Sequence, residues 1–267
     1  MEGYKSLINS DIRDRVLYKA SFCREFEKTV QDKVNAGEIT CPVYLSLGQE
    51  LLPAILSEVY PESFIFAQHR AHSTYLCYSR DPLTLAKTLI SSREGSASIQ
   101  IPNKMLGHSG FMGDQIPIAV GFCMRSGKHT LAIMGDASGE EDYVLGAMAF
   151  ASSRNLPMLF IVEDNNLSIL TEKNVRRDWE LDSVAKSFGM LDSTNVNDEL
   201  ETLLKTLTDL KKSSKPALIN VNSTRLCWHS GSGNNEGLYD RLSDEIAGKE
   251  HLVDLAVRDN KKVWQSI

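Results

Sequence analysis

The sequence predicts one α/β domain on a mostly parallel, doubly wound sheet flanked by helices. Two short apolar runs, Leu131–Met134 and Pro157–Val162, end in the polar turns Gly135-Asp136 and Glu163-Asp164-Asn165. Between them, Glu140–Arg154 has helical spacing, with Glu140, Glu141 and Asp142 in its first turn. A third run, Pro216–Val221, closes the domain as a further strand. Runs this short, bounded by turn residues, suit strands buried on both faces of a parallel sheet. Strand, helix and strand make a βαβ unit, whose strands point the same way, so both polar turns lie at the carboxyl edge where open α/β sheets bind ligands.

The other elements follow in chain order. Asp11–Ala36 reads as an amphipathic packing helix, with Ile12, Val16, Ala20, Cys23, Val30 and Val34 near one face and Gly37 as its stop. Tyr44–Glu50 leads into a helix through Ile55 that ends by Pro61. Phe64–His72 reads as a strand ending in the cluster His69, Arg70, His72, which suits an anion. Ser91–Ile101 is polar, and Gly107–Gly113 carries three glycines that permit close backbone approach to a ligand but do not form a dinucleotide fingerprint. Pro117 starts a helix through Met124. In the central helix Tyr143, Ala147, Phe150 and Ala151 share a face. After Leu170 the charged stretch TEKNVRRDWE reads as an exposed loop, with Arg176-Arg177 solvated or facing an acidic partner. Leu181–Phe188 and Glu199–Lys212 are helical. Thr224–Gly237 reads as a mobile loop over the carboxyl edge. Leu238–Ile267 is a polar helical tail marked by Leu242, Ile246, Leu252, Leu255, Val257 and Trp264. The expected division is an α/β domain over 1–237 and a tail over 238–267.

Composition narrows the function. The chain has 267 residues, 42% hydrophobic and 24% charged, with a net charge of −6 and no basic stripe, which argues against general nucleic-acid binding. Five scattered cysteines without Cys-x-x-Cys spacing are expected as reduced, mostly buried thiols of a cytoplasmic protein. The first residues carry no apolar signal segment, and no apolar run approaches the length of a membrane helix.

Chemistry concentrates at the paired turns. Asp136 and Asn165 lie 29 positions apart in sequence but meet at the sheet edge. A carboxylate, an amide oxygen and a loop carbonyl form a hard oxygen site of the kind Mg²⁺ or Ca²⁺ accepts, with diphosphate oxygens and water completing it. The amides of Ala137 and Ser138, near the helix start, face the same anion.

These residues resemble the thiamine diphosphate (ThDP) motif, Gly-Asp-Gly followed one βαβ unit later by Asn-Asn. Residues 10–235 look like the alpha subunit of the dehydrogenase component of 2-oxo acid dehydrogenase complexes. The resemblance implies that Asp136, Asn165 and the Leu167 carbonyl bind the metal, and that Gly135, Ala137 and Ser138 adjoin the diphosphate. It implies that Arg70 clamps the diphosphate, with His69 in place of a Tyr beside it, and that His72 faces the active-site channel. Gly110 and Met112 fall where the aminopyrimidine is supported. His229 is the surviving His of a His-Gly-His-Ser loop that orders over the cofactor.

The departures are Tyr44 where many members have a substrate-facing His, Ala137 in place of the last motif Gly, and Gly146 and Ala149 in place of Glu and Asn. Ala137 requires a negative φ. The implied partner is a beta-type subunit, in an α2β2 assembly, that supplies the pyrimidine domain and an activating Glu. The implied reaction is decarboxylation of a 2-oxo acid with acyl transfer to the lipoyl group of an acyltransferase. A ThDP-dependent carboligase forming an acyloin or branched sugar, and a cofactor-free scaffold subunit, are the alternative readings.

Overall fold

The computed structural model describes residues 2–91, 99–106, 110–213 and 215–267; Gly107, His108 and Ser109 of the glycine loop, and 92–98 of the polar stretch before it, lie outside the described residues. The chain forms two compact units, one of Met1–Pro61, Arg70–Ile99 and Thr224–Ile267, the other of Glu62–His69 and Gln100–Ser223. No helix among the described residues is long and apolar enough to cross a membrane.

The first unit is helical: α1 (Glu2–Ser6), α2 (Ile12–Asn35), α3 (Leu51–Val59), α4 (His72–Ser79), α5 (Pro82–Ser91), α11 (Arg241–Glu245) and α12 (Glu250–Trp264). Helix α2 begins where expected because the Asp11 side chain accepts from the Arg13 amide at 2.8 Å, a cap for one of the orphan donors of the first turn. It stops at Gly37, whose φ of +72° suits glycine. Val16, Ala20, Cys23 and Val30 are buried along it, and Glu27 lies in the same stripe. Helix α12 packs along α2, with Phe26 and Trp264 rings 5.1 Å apart and the Tyr18 hydroxyl donating to Asp259 at 2.7 Å. Val257, expected as an apolar mark of the tail, faces outward, and Leu252 and Ala256 supply the buried side. All five cysteines are free and buried, as their scatter predicted.

The second unit holds the sheet: β1 (Phe64–Phe66), β2 (Met105–Leu106), β3 (Thr130–Gly135), β4 (Met158–Asp164), β7 (Thr194–Asn197) and β8 (Ala217–Asn222), in the order β2-β1-β3-β4-β8-β7. Every pairing in it is parallel. Helices α6 (Gln115–Ser126), α7 (Asp142–Ser153), α9 (Leu181–Ser187) and α10 (Leu200–Leu210) flank it, and a small hairpin, β5 (Leu167–Ser168) with β6 (Thr171–Glu172), leads into α8 (Lys173–Arg176). The expected α/β class holds. In β4 every residue is buried, which explains its continuous apolar run.

Three expectations are corrected. The strand read over Phe64–His72 is only three residues long, pairing with Thr130–Ala132; the chain then leaves the ladder, Gln68 turns toward Glu163, and His72 opens α4. On α7 the buried residues are Val144, Ala147, Met148 and Ala151, while Phe150 is exposed and the Tyr143 hydroxyl donates to the Met112 carbonyl. Burying a Val or Met side chain contributes roughly 1.5–3 kcal/mol, so the aliphatic stripe sets the rotation of the helix. The stretch after Leu170 is folded as β6 and α8, and Arg177 is buried.

The sheet order reverses between β1 and β3, since β2 lies outside β1 while β3 and β4 continue on the other side. Ligands in open α/β sheets bind at such a switch point, outside the carboxyl ends of the strands.

Candidate metal and diphosphate site

Beyond β3, Gly135 is followed by Asp136, with φ −56° and ψ −41°, and a 3₁₀ turn over Ala137–Glu140. Ala137 therefore has the negative φ that its side chain requires. A Cβ on Gly135 would lie 3.4 Å from the Gln68 Oε1, so the backbone passes close to the residue that follows β1. Ala137 and Ser138 are the first residues of this turn, and the Asp136 side chain makes no cap bond to it; amides at such a start have no partner within the turn.

The β3–β4 register sets Gly135 opposite Glu163, so Asp136 and Asp164 follow at the ends of adjacent strands. Three carboxylates, Asp136, Glu163 and Asp164, are buried here. Glu163 accepts from the Gln68 amide. Asp164 Oδ1 accepts from the Asn166 amide at 2.9 Å, and its Oδ2 from Lys173 Nζ at 2.8 Å and Asn220 Nδ2 at 3.0 Å. Burial pushes the Asp164 carboxyl upward, but Lys173, the Asn166 amide and Asn220 outweigh it and hold it below the usual carboxylate range. Asp136 is raised: burial and the Asp164 charge exceed the lowering by Arg176 and Arg177.

The Arg pair, read as solvated or facing an acidic partner, instead meets Asp136 and Glu140 of its own chain. Arg176 donates from Nη2 to Asp136 Oδ2 and from Nη1 to Glu140 Oε1 at 2.6 Å. Arg177 donates from Nη1 to the Asp136 carbonyl at 2.9 Å and to Glu140 Oε1 at 2.6 Å. The physical reason is charge balance, since carboxylates removed from water need cations or donors.

These residues fit a divalent cation. A cation, the Arg176 guanidinium, already stands on the Asp136 carboxylate. The adjoining donors are hard oxygens. Asn166 takes φ +63°, making the tight turn in which Asn165 Oδ1 accepts from the Leu167 amide at 3.2 Å. This bond ties the Asn165 side chain to the turn that follows β4.

Of the glycine loop, Gly110 and Met112 are exposed. The Phe111 ring stacks on Tyr143 at 6.1 Å between centroids. Gly113, with φ +86°, passes so close to α7 that a Cβ would come within 2.9 Å of Val144 Cγ2. His69 is half-buried in the loop after β1.

In the first unit, Arg70 is buried and donates to the carbonyls of Leu45 at 2.5 Å and His229 at 3.0 Å. The His229 ring meets Tyr44 edge-on, 5.6 Å between centroids. Burial first, then the charges of Arg70 and Arg225, lower the His229 pKa to about 4, leaving a neutral imidazole near pH 7. The 224–237 loop is fastened: Leu226 N donates to Leu47 O, Gly231 N to Val43 O, and Asn235 Nδ2 to the Arg225 and Cys227 carbonyls. The expectation of a mobile loop did not foresee these bonds. His72 is fully buried, its Nδ1 3.0 Å from Glu27 Oε2. Glu27 Oε1 accepts from the Ser46 amide and hydroxyl at 2.9 and 2.7 Å.

Sequence reasoning missed Glu27, Gln68, Lys173 and the role of the Arg pair. Glu27 had a signal, a carboxylate on the apolar stripe four positions after Cys23 and three before Val30. The others had none in local pattern, because their partners lie in other strands and turns.

The family model described as dehydrogenase E1 component matches residues 18–247. The pyruvate dehydrogenase E1 component subunit alpha of Rickettsia bellii is 24% identical over 230 residues, covering 78% of this chain and 70% of the relative. The subunit alpha of acetoin:2,6-dichlorophenolindophenol oxidoreductase of Cupriavidus necator is 22% identical over 258 residues, covering 89% and 77%. Among solved structures, transketolase from Campylobacter jejuni superposes with a TM-score of 0.63 at 17% identity, covering 97% of this chain but 48% of its own, a likeness of fold. The chain is a divergent, alpha-subunit-like member of the dehydrogenase E1 component family.

Proposed function

We propose that this chain is the alpha-type subunit of a heteromeric ThDP-dependent enzyme that decarboxylates a 2-oxo acid and transfers the resulting acyl group. The observation that carries this is Asp136, buried at the carboxyl end of β3 with a cation on its carboxylate and the Asn165 turn beside it. Asp136, Asn165 and the Leu167 carbonyl would hold Mg²⁺ or Ca²⁺, and the amides of Ala137 and Ser138 would receive diphosphate oxygens. Gly135, without a side chain, permits the close approach. When bound, ThDP would supply a thiazolium whose C2, once deprotonated, can add to a 2-oxo carbonyl and whose ring nitrogen can accept the electron pair released with CO₂.

The chain's own groups then bind and orient. Arg70, with His69 preceding it in the chain, offers positive charge to the diphosphate, and Gly110 and Met112 support the aminopyrimidine. Neutral His229 donates or accepts a hydrogen bond without adding charge. His72 is buried with Nδ1 held by Glu27, and its Nε2 would be the atom offered to a substrate. The relatives are named as alpha subunits, which supports a beta-type partner. That partner supplies the pyrimidine domain and the activating Glu in an α2β2 assembly, with a lipoyl acyltransferase as acceptor.

The test is calorimetric titration of ThDP with Mg²⁺ into the chain, alone and mixed with a beta-type partner, with Asp136→Ala as control. Metal-dependent binding that tightens with the partner and vanishes in the variant is expected, together with CO₂ release from a 2-oxo acid. Absence of binding in a folded, associated pair would sink the reading.

A further inference from the structure

We propose that Arg176 is an exchangeable counter-ion of Asp136, so that this chain takes up a divalent cation and a diphosphate together and resists either one alone. The inference rests on the cofactor reading above and concerns how that site loads.

Within the ion-paired cluster on Asp136 the charges are two and two, Asp136 and Glu140 against Arg176 and Arg177, and the adjoining Asp164 is matched by Lys173. A divalent cation arriving at Asp136 meets the guanidinium already on Oδ2. Expelling Arg176 leaves two guanidiniums sharing Glu140 Oε1, beside a dication on a single carboxylate. Like charges in a buried site repel strongly, so the metal alone binds weakly.

A diphosphate changes that balance. It brings negative charge and several acceptor oxygens to a place where donors are already waiting. Among the described residues, Arg176 Nε and Arg177 Nη2 are buried N–H groups without a hydrogen-bond partner, and the Arg177 side chain is 1% exposed. Buried donors of this kind are costly unless something accepts from them. An arriving diphosphate takes these donors, Arg176 exchanges Asp136 for phosphate oxygens, and the metal occupies the released carboxylate. Arg177 keeps its bonds to the Asp136 and Trp179 carbonyls and remains in place.

The neighbouring acid shows why exchange is confined to Asp136. Asp164 is held by a backbone amide, an ammonium and a carboxamide, and all three would have to leave. Asp136 is matched at its carboxylate by one flexible side chain, on the four-residue helix α8.

The test uses the full chain with Mn²⁺ followed by electron paramagnetic resonance and inorganic pyrophosphate as the anion. Wild type is expected to bind Mn²⁺ weakly alone and about tenfold or more tightly with pyrophosphate present. Arg176→Gln is expected to bind Mn²⁺ alone about tenfold more tightly than wild type, with the effect of pyrophosphate reduced to about threefold or less. Arg176→Lys keeps a cation at the carboxylate and the coupling. In thermal melts Arg176→Gln loses stability without metal and regains it with Mn²⁺, a readout independent of catalysis.

If Arg176→Gln matches wild type in metal affinity and coupling while Asp136→Asn abolishes binding, the counter-ion inference is wrong and the cofactor site stands. If wild type binds neither probe, singly or together, both the cofactor reading and this inference fall.

Discussion

Removing the Glu27 carboxylate tests the polar centre of the first unit. Its oxygens satisfy the Ser46 amide, the Ser46 hydroxyl and His72 Nδ1, all buried. Glu27→Ala strands the Ser46 amide and His72 Nδ1 and leaves the Ser46 hydroxyl with Ser73 alone, and an unsatisfied buried donor costs about 1–3 kcal/mol. Partial relaxation and water recover some of the sum, so a total loss of about 3 kcal/mol is expected. Glu27→Gln keeps an acceptor for Ser46 and places an amide toward His72, which takes the other tautomer, so a loss nearer 1 kcal/mol is expected. Urea unfolding at neutral pH reads both. Acid adds a second signature. Burial raises the Glu27 carboxyl, but His72 and Ser46 more than offset this and hold it below the usual range. A depressed carboxyl contributes stability that is complete above its unfolded pKa of about 4.3 and is lost as pH falls through the folded value. The advantage of wild type over Glu27→Gln must therefore shrink in acid. Equal costs for Ala and Gln, or an Ala cost below about 1 kcal/mol, would refute this account.

Three further outcomes are expected. His229 should titrate near its depressed value of about 4 by NMR; the neutral form it keeps in the fold stabilises fully above about pH 6.5 and the benefit disappears as pH falls toward 4. A midpoint near 6.5 would show that burial and Arg70 do not act on it. Arg70→Ala removes donors to the Leu45 and His229 carbonyls, each charged bond contributing about 1.5–3 kcal/mol, so amide exchange should quicken in 43–47 and 224–235. Unchanged exchange would show that other bonds fasten the loop. Gly48→Ala meets φ +92° and a Cβ only 2.1 Å from the Thr224 carbonyl, and should lower stability by about 2 kcal/mol or more in a urea titration; a neutral substitution would mean that the close approach is not kept in solution.

The central strands were legible because both faces are buried, so β3 and β4 appear as apolar runs with polar ends and β8 as one interrupted by Asn220. Edge strand β7, Thr-Asn-Val-Asn, was not, since its side chains alternate between half-buried and exposed and its asparagines bond across to Asn220 and Asn222. Asp136 and Asn165 were readable from the turns they close. Arg176 and Arg177 were not, because a charged run after a turn looks alike whether it meets water or a buried acid 40 positions earlier. The rotation of α7 was misread by giving weight to aromatic size: Tyr143 keeps its hydroxyl at the surface on the Met112 carbonyl, while Val144 and Met148 fill the core.

Asp136 and Asp164 stand side by side at the ends of adjacent strands, yet physical chemistry separates their roles. Asp164 accepts three hydrogen bonds from groups anchored on its own turn, on α8 and on β8, and its carboxyl is held ionised. Such a carboxylate is a fixed part of the fold, and a cation offered to it gains little. Asp136 is equally buried but carries a single side-chain cation, and the Asp164 charge pushes its carboxyl upward. The anion next door therefore makes Asp136 the carboxylate most in need of added positive charge. Lys173 and Asn220, by holding Asp164 ionised, act on the metal position without touching it. Replacing Asp164 by Asn would remove that repulsion, leave Glu180 as the carboxylate paired with Lys173, and weaken cation binding at Asp136 even though every proposed metal ligand remained.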